Sequence, residues 1–212
     1  MFDFADENYT GESSYSELQP GLRVPAVLTG VEVDDESGDL IFSFKGTEKG
    51  DTTKGITPNT GTLNHRVWAN TFDKEHEYYN ANKAMYVVNG IKHILKAFLP
   101  VEQIEAMRAD GWLGFVALIK DAMKKEVFAD KPIFLKVILN NKDRSILPMF
   151  PDFISSDLMP KNFTLQTKIN PNTGIPYERI TPMQAPASNE STFDALDTTE
   201  NADEDTPTPA FG

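Results

Sequence analysis

The sequence contains no cysteine, and none of its apolar runs approaches the roughly 20 residues that a membrane-spanning helix needs. The lack of cysteine excludes disulfides, thiolate metal sites and cysteine nucleophiles. The first residues have neither the positive nor the apolar region of a signal peptide, so we expect a cytosolic protein with no membrane partner. Only three histidines are present, and they form no HExxH or His-x-His motif.

Enzyme motifs are also missing. The glycines between residues 46 and 61 are not followed by Gly-Lys-Ser/Thr, and no Gly-x-Ser-x-Gly elbow occurs. Adjacent acids such as Asp34 and Asp35 are explained by solvation of a turn. We therefore expect no catalytic residue, no metal and no cofactor. A metal-dependent nuclease built from scattered acids is the remaining enzymatic alternative.

Positive charge is absent from both ends of the chain. Five acids and no base lie in residues 1–18, and seven acids and no base lie in residues 186–212. Without these twelve, the 32 acids fall to twenty, which equals the number of Lys and Arg, so the net charge of −12 belongs to the two ends. A formally neutral domain can still carry a basic groove, because local potential attracts phosphate.

The middle of the chain has the periodicity of β-strands interrupted by helices. Strands are predicted at 22–33, 40–45, 62–70, 132–139 and 144–150, with Leu40, Phe42 and Phe44 on one face of the second. Apolar residues at helical spacing predict a helix from about 84 to 98, and shorter helices at about 101–108 and 112–124. Asn-Asn-Lys-Asp at 140–143 is typical of a hairpin turn.

Three strands, a helical insertion and a hairpin follow the order of the OB-fold. We therefore predict a mainly β protein with an OB-like Greek-key barrel of about five strands. The predicted domain spans residues 20–185, with an acidic arm at 1–19, a helical insertion at about 74–124 and an extended strap at 151–185. Residues 186–212 are predicted to be a disordered acidic tail, because they hold almost nothing to bury.

A groove for single-stranded nucleic acid needs cations that follow the phosphates and aromatic faces on which bases stack. Arg66 and Trp68 are two apart on the third predicted strand, so both project from one side. The alternative for Trp68 is a core position, and the alternative for the cations is a solvated strand surface. Phe153 either plugs a barrel end or lines the groove. The candidate DNA-binding residues are Lys45, Lys49, Lys54, Arg66, Trp68, Phe134 and Lys136.

An OB-like core followed by an acidic tail with a near-terminal Phe resembles the single-stranded DNA-binding proteins of bacteria and tailed phages. The stretch from Phe134 to Ile154 is also similar to small phage proteins associated with recombination and replication genes. The resemblance implies a barrel that wraps single-stranded DNA during phage replication or recombination in the cytoplasm of an infected bacterium. It also implies a tail that recruits replication or recombination proteins through Asp203, Glu204, Asp205 and Phe211.

A second class of function fits the same sequence. A β-barrel with acidic ends can be a phage structural or adaptor protein that binds no nucleic acid. Salt dependence separates the two, because affinity for DNA falls steeply as salt rises. Both functions are compatible with a homo-oligomer.

Overall fold

Five antiparallel strands of the computed structural model curve into a nearly closed barrel with an OB-like strand order. The structure describes residues 17–51, 53, 58–77, 79–148, 152–157 and 163–183. All of them except Met183 lie in one compact unit that ends at Pro182. The strands are β1 (Gly21–Val33), β2 (Leu40–Gly46), β3 (Thr62–Val67), β4 (Pro132–Leu139) and β5 (Ser145–Ile146), and a short β6 (Ile154–Ser155) pairs with β4.

The long β1 joins the two halves of the barrel. Its first part pairs with β4 and its second part with β2, and the register with β2 shifts between Leu28 and Gly30. A bulge of this kind bends a strand, which allows β1 to belong to both halves. The strand order is β3-β2-β1-β4-β5, and β3 comes back close to β5. The predicted fold class is therefore confirmed.

Alternating side chains fill the barrel interior. Leu40, Phe42 and Phe44 of β2 are fully buried, as their spacing predicts. In register with them, β1 contributes Val31 and Val33 from beyond its bulge. Burial of large side chains is worth about 1.5–3 kcal/mol each, so this stripe fixes which face of β2 points outward.

Four helices occupy the connection between β3 and β4. They are α1 (Ala81–Lys96), α2 (Val101–Ala106), α3 (Gly111–Ala122) and α4 (Lys125–Phe128). The Asn80 side chain accepts a hydrogen bond from the Lys83 backbone N–H and so caps α1. The first three helices match the predicted ones, whereas α4 was not predicted because it is a single turn.

Some boundaries differ from the prediction. The third strand ends at Val67 rather than residue 70, because Ala69–Phe72 form a 3₁₀ helix. The fifth strand is reduced to two residues, with 149–150 outside the described residues. Leu18, assigned above to the acidic arm, is fully buried in the barrel core. The rest of the arm to residue 16, and the whole tail at 186–212, lie outside the described residues.

Candidate nucleic-acid interface

Arg66 and Trp68 form a stacked pair where β3 ends. Trp68 follows the last residue of the strand and is 55% exposed, so it is not a core residue. The guanidinium carbon of Arg66 lies 5.3 Å from the centre of the Trp68 ring, which is the geometry of a cation–π contact. The two side chains do project from one side, as their spacing predicts. One aromatic face is thus presented next to a planar cation.

Two carboxylates from the β1–β2 turn (residues 34–39) hold Arg66 in place. Its Nη1 donates to Oδ2 of Asp39 at 3.0 Å, and its Nη2 donates to Oδ2 of Asp34 at 3.2 Å. Asp39 is buried, and its Oδ1 accepts from the Ala69 backbone N–H at 2.7 Å. Hydrogen bonds from Ser37 and the charge of Arg66 hold the pKa of Asp34 below its usual value. The guanidinium group of Arg66 is therefore fixed in position, and two carboxylates balance its charge, so it is not a free cation.

A groove of about 460 Å³ opens beside this pair, between β3, α1 and the chain that follows β5. We call it the Trp68 groove. Besides Arg66 and Trp68, its wall includes Lys83 and Tyr86 from α1, and Tyr86 is 42% exposed. Phe153 also lines it and is fully buried. Phe153 is therefore a core residue that also forms part of the groove wall.

The Trp68 groove lies at the place where the barrel fails to close. β3 pairs with β2, and β5 pairs with β4, but no ladder between β3 and β5 occurs in the described part of the chain. Side chains of both strands line the groove: Asn64 and Arg66 from β3, and Ile146 from β5. An incomplete barrel seam therefore creates the cleft.

The remaining predicted site residues are dispersed. Lys45 is exposed at the end of β2, opposite Thr62 of β3, and therefore shares an outward face with Arg66. Lys49 is exposed in the following loop, and Lys54 lies outside the described residues. Phe134 is half-buried on β4 opposite Pro25, and lines no part of the Trp68 groove. The four tail residues proposed above to recruit partners, from Asp203 to Phe211, also lie outside the described residues.

The expectation that Lys136 lines an open groove is wrong. Lys136 is only 3% exposed, and its Nζ donates to both carboxylate oxygens of Glu178 at 3.0 Å and to the Thr164 carbonyl at 3.1 Å. The described part of the strap covers this face of β4. An ammonium group that is enclosed and paired in this way cannot contact a phosphate without the strap leaving.

Sequence reasoning missed Lys83 and Tyr86. The candidate residues lie on strands, in the loop after β2 and in the tail, and the prediction for α1 uses only its apolar stripe. A signal was present: Tyr86 falls off the stripe formed by Val87, Ile91 and Ile94, so it had no place in the core. Lys83 lies three residues before it and therefore on the same side of the helix.

Trp112 on α3 has a structural role. Its ring stacks on Phe72 with centroids 4.3 Å apart, and its Nε1 donates to the Gly38 carbonyl at 2.8 Å. It packs against the hydrophobic core and holds the β1–β2 turn. The two tryptophans of the chain therefore differ: one packs inside, and one is exposed beside a groove.

His65 is another wall residue of the Trp68 groove, and its pKa is strongly perturbed. It lies on the interior face of β3, and burial lowers its pKa to about 4 from an ordinary value of 6.5. Between these values the unfolded chain binds a proton that the folded chain does not. The stability contributed by neutral His65 is therefore complete above pH 6.5 and is lost as the pH falls towards 4.

We expect the free energy of unfolding to fall by about 2 kcal/mol between pH 7 and pH 5 because of this group. His93 acts in the same direction, since burial also lowers its pKa. Urea denaturation across that range measures the effect. The variant His65→Leu should show a flatter dependence, and an equal slope in the two proteins would contradict the assignment.

Comparisons with family models, curated proteins and solved structures find no match for this chain. Among the described residues, every helix is too short or too polar to span a bilayer. In that same part of the chain, no group of three or more His, Asp or Glu side chains could hold a metal ion. The Trp68 groove is therefore the feature that bears on function.

Proposed function

We propose that this chain binds single-stranded DNA and catalyses no reaction, with the Arg66–Trp68 pair as its main contact. The observation that carries this proposal is an exposed Trp68 whose neighbour is fixed over it by buried Asp39. An aromatic held rigidly at a surface offers a stacking face at little cost in conformational entropy. Stacking of a base on such a face is worth about 1–3 kcal/mol and does not depend on sequence.

The charges around the Trp68 groove favour one direction for the strand. The β1–β2 turn carries the exposed acids Asp35 and Glu36, which repel phosphate. On the other side, the ammonium group of Lys83 is exposed and has no hydrogen-bond or ion-pair partner among the described residues. A bound strand therefore runs from Trp68 towards Lys83 and Tyr86, away from the acidic turn.

The OB-like barrel supports this proposal only as a scaffold, because one fold serves many functions. The rival is a phage structural or adaptor protein that uses the Trp68 groove for another protein. Counterion release distinguishes the two, since DNA affinity falls with salt while an apolar protein contact does not weaken in that way. By the resemblance stated above, we place the DNA-binding activity in phage replication or recombination, with the acidic tail recruiting partner proteins.

The test uses the variant Trp112→Phe, which leaves Trp68 as the single tryptophan. We expect its fluorescence to be quenched by oligo(dT) of about 30 nucleotides, less so as salt rises, and not by duplex DNA. A thermal melt shows whether the variant is folded. The complementary variant Trp68→Phe keeps only the packed Trp112 and should respond little to the same oligonucleotide.

No quenching and no change in anisotropy of a labelled oligonucleotide, with folded protein at low salt, would refute the proposed function. Equal responses of Trp68 and Trp112 would indicate a general change in the protein rather than stacking in the Trp68 groove. The rival predicts no quenching at any salt concentration, whereas quenching that is independent of salt would show stacking without phosphate contacts and would contradict the role given to Lys83.

A further inference from the structure

A second groove shares a wall with the first. It has a volume of about 570 Å³ and lies between the β4–β5 turn (residues 140–144) and the strap. We call it the Tyr177 groove. Ile146 of β5 lines this groove and also the Trp68 groove, so the two grooves share this residue.

Unpaired cations and an exposed aromatic meet in the Tyr177 groove. Lys142 and Arg144 are exposed, and within the described chain neither side chain has a hydrogen-bond or ion-pair partner. Tyr177 is 42% exposed. Asn140 of the same turn has its side-chain oxygen occupied by the backbone N–H groups of Lys142 and Arg144, which fixes the turn. These are the ingredients of a single-strand groove, cations beside an aromatic face.

The strap holds Tyr177 rigidly in this position. Its backbone N–H donates to the Lys168 carbonyl at 3.0 Å, next to a bridge between Ile169 and Pro176. The next residue, Glu178, is buried in the ion pair with Lys136.

Arg179, the residue after Glu178, is the second anchor. It forms an ion pair with Asp143 and donates to the Asn140 carbonyl, so it fastens the strap to the β4–β5 turn. Glu178 and Arg179 therefore fix the backbone next to Tyr177, whose ring is exposed to solvent on an anchored segment.

We propose that the Tyr177 groove is a second single-strand subsite, and that one DNA strand crosses the barrel seam over Ile146 from the Trp68 groove to Tyr177. This inference rests on the proposed function and extends it. The occupant is argued from charge: Lys142 and Arg144 add two unpaired cations, whereas the acids Asp143 and Glu178 are already paired. A third acid, Glu17, lies beside β5, where its carboxylate accepts from the Ser145 backbone N–H, so the two cations outnumber the acids without an ion pair. The strap is thus a binding element as well as a cover for β4.

The test compares a short and a long oligonucleotide, because only the long one reaches both grooves. Oligo(dT) of about 5 nucleotides suits one groove and oligo(dT) of about 20 nucleotides suits both, given the sizes known for OB-fold sites. The variant Tyr177→Leu should weaken the binding of the long oligonucleotide at least about fivefold and leave the affinity for the short one unchanged. Labelled-DNA anisotropy with the full chain provides the affinities.

The charge variant Lys142→Gln/Arg144→Gln tests the same path by salt dependence. For the long oligonucleotide, the slope of log affinity against log salt should become shallower by about 1.4, from the loss of two phosphate contacts to a single strand. The matched control Lys120→Gln/Lys131→Gln removes two exposed lysines that line neither groove and should change nothing.

The outcomes separate the two levels of the proposal. If the long oligonucleotide binds the Tyr177 and Lys142/Arg144 variants as it binds the control, while Trp68 still reports binding, then the second subsite is refuted and the proposed function stands. If neither oligonucleotide quenches Trp68, the proposed function itself fails. The inference would be overturned if a peptide of residues 194–212 bound the parent protein but not the charge variant, while the charge variant kept the parent's affinity for DNA. The Tyr177 groove would then be a peptide site.

Discussion

Replacing Glu178 by glutamine is expected to lower the free energy of unfolding by about 3–5 kcal/mol. The Lys136 side chain, only 3% exposed, would then lose its ionic partner and keep neutral acceptors, the Thr164 carbonyl and the amide oxygen of the introduced glutamine. The backbone N–H of Gln166 would also lose a charged acceptor, since it donates to Glu178 at 2.8 Å. Urea denaturation at neutral pH measures this change, with stability compared between variant and parent.

The loss of stability in Glu178→Gln comes from leaving Lys136 without an ionic partner, rather than from a large stabilising contribution of the ion pair itself. We therefore expect the double variant Lys136→Met/Glu178→Met to be close to the parent, because replacing a buried pair by apolar side chains is often neutral or stabilising. Lys131→Met, at an exposed lysine shortly before β4, is the matched control and should change stability by less than about 0.5 kcal/mol. A Glu178→Gln variant as stable as the parent would mean that water reaches Lys136 and that the strap does not seal this face.

Much of the barrel could be predicted because its signals are local. The alternation of Leu40, Phe42 and Phe44 is a property of five consecutive residues, and burial follows from it directly. The turn at 140–143 likewise depends on the Asn140 side chain, which accepts from backbone N–H groups two and four residues later. The order of the predicted strands, helical insertion and hairpin along the chain then indicates the OB-like arrangement.

The errors at the site concern partners that are distant in sequence. Alternation shows that Phe134 and Lys136 share one face of β4, but it cannot show what covers that face. The cover is supplied by Glu178, 42 residues later, from a strap without periodicity. In the same way, Arg66 resembles a free cation until Asp39, 27 residues earlier, is placed against it. Neither pairing leaves a pattern that a single sequence displays.

Residues from a helix and a strand also combine in a way that spacing cannot predict. The Trp68 groove exists because β3 and β5 do not pair and α1 lies along the gap. Lys83 and Tyr86 join Trp68 only through this packing. The sequence supplied the types of residue that a nucleic-acid groove needs, and the incomplete closure of the barrel determines which of them meet.

Substituting Trp68 by leucine is expected to weaken the binding of oligo(dT) by about 5- to 150-fold, the loss of one base-stacking contact. Stability should change by less than about 0.5 kcal/mol, since the side chain is more than half exposed and fills no core position. Anisotropy of a labelled oligonucleotide measures the affinity, because the variant has lost its reporting tryptophan. Trp68→Phe keeps an aromatic face and should retain part of the affinity.

The matched control is Trp112→Leu, and it should give the opposite pattern. Loss of the stack on Phe72 and of the hydrogen bond to the Gly38 carbonyl should cost about 2 kcal/mol of stability. The affinity of the molecules that remain folded should fall less than in Trp68→Leu, because Trp112 does not line the Trp68 groove and acts on Arg66 only through the β1–β2 turn that it holds. If both tryptophan variants lost affinity in proportion to their loss of stability, binding would depend on the fold alone. Only a loss of affinity without a loss of stability at Trp68 identifies a stacking contact.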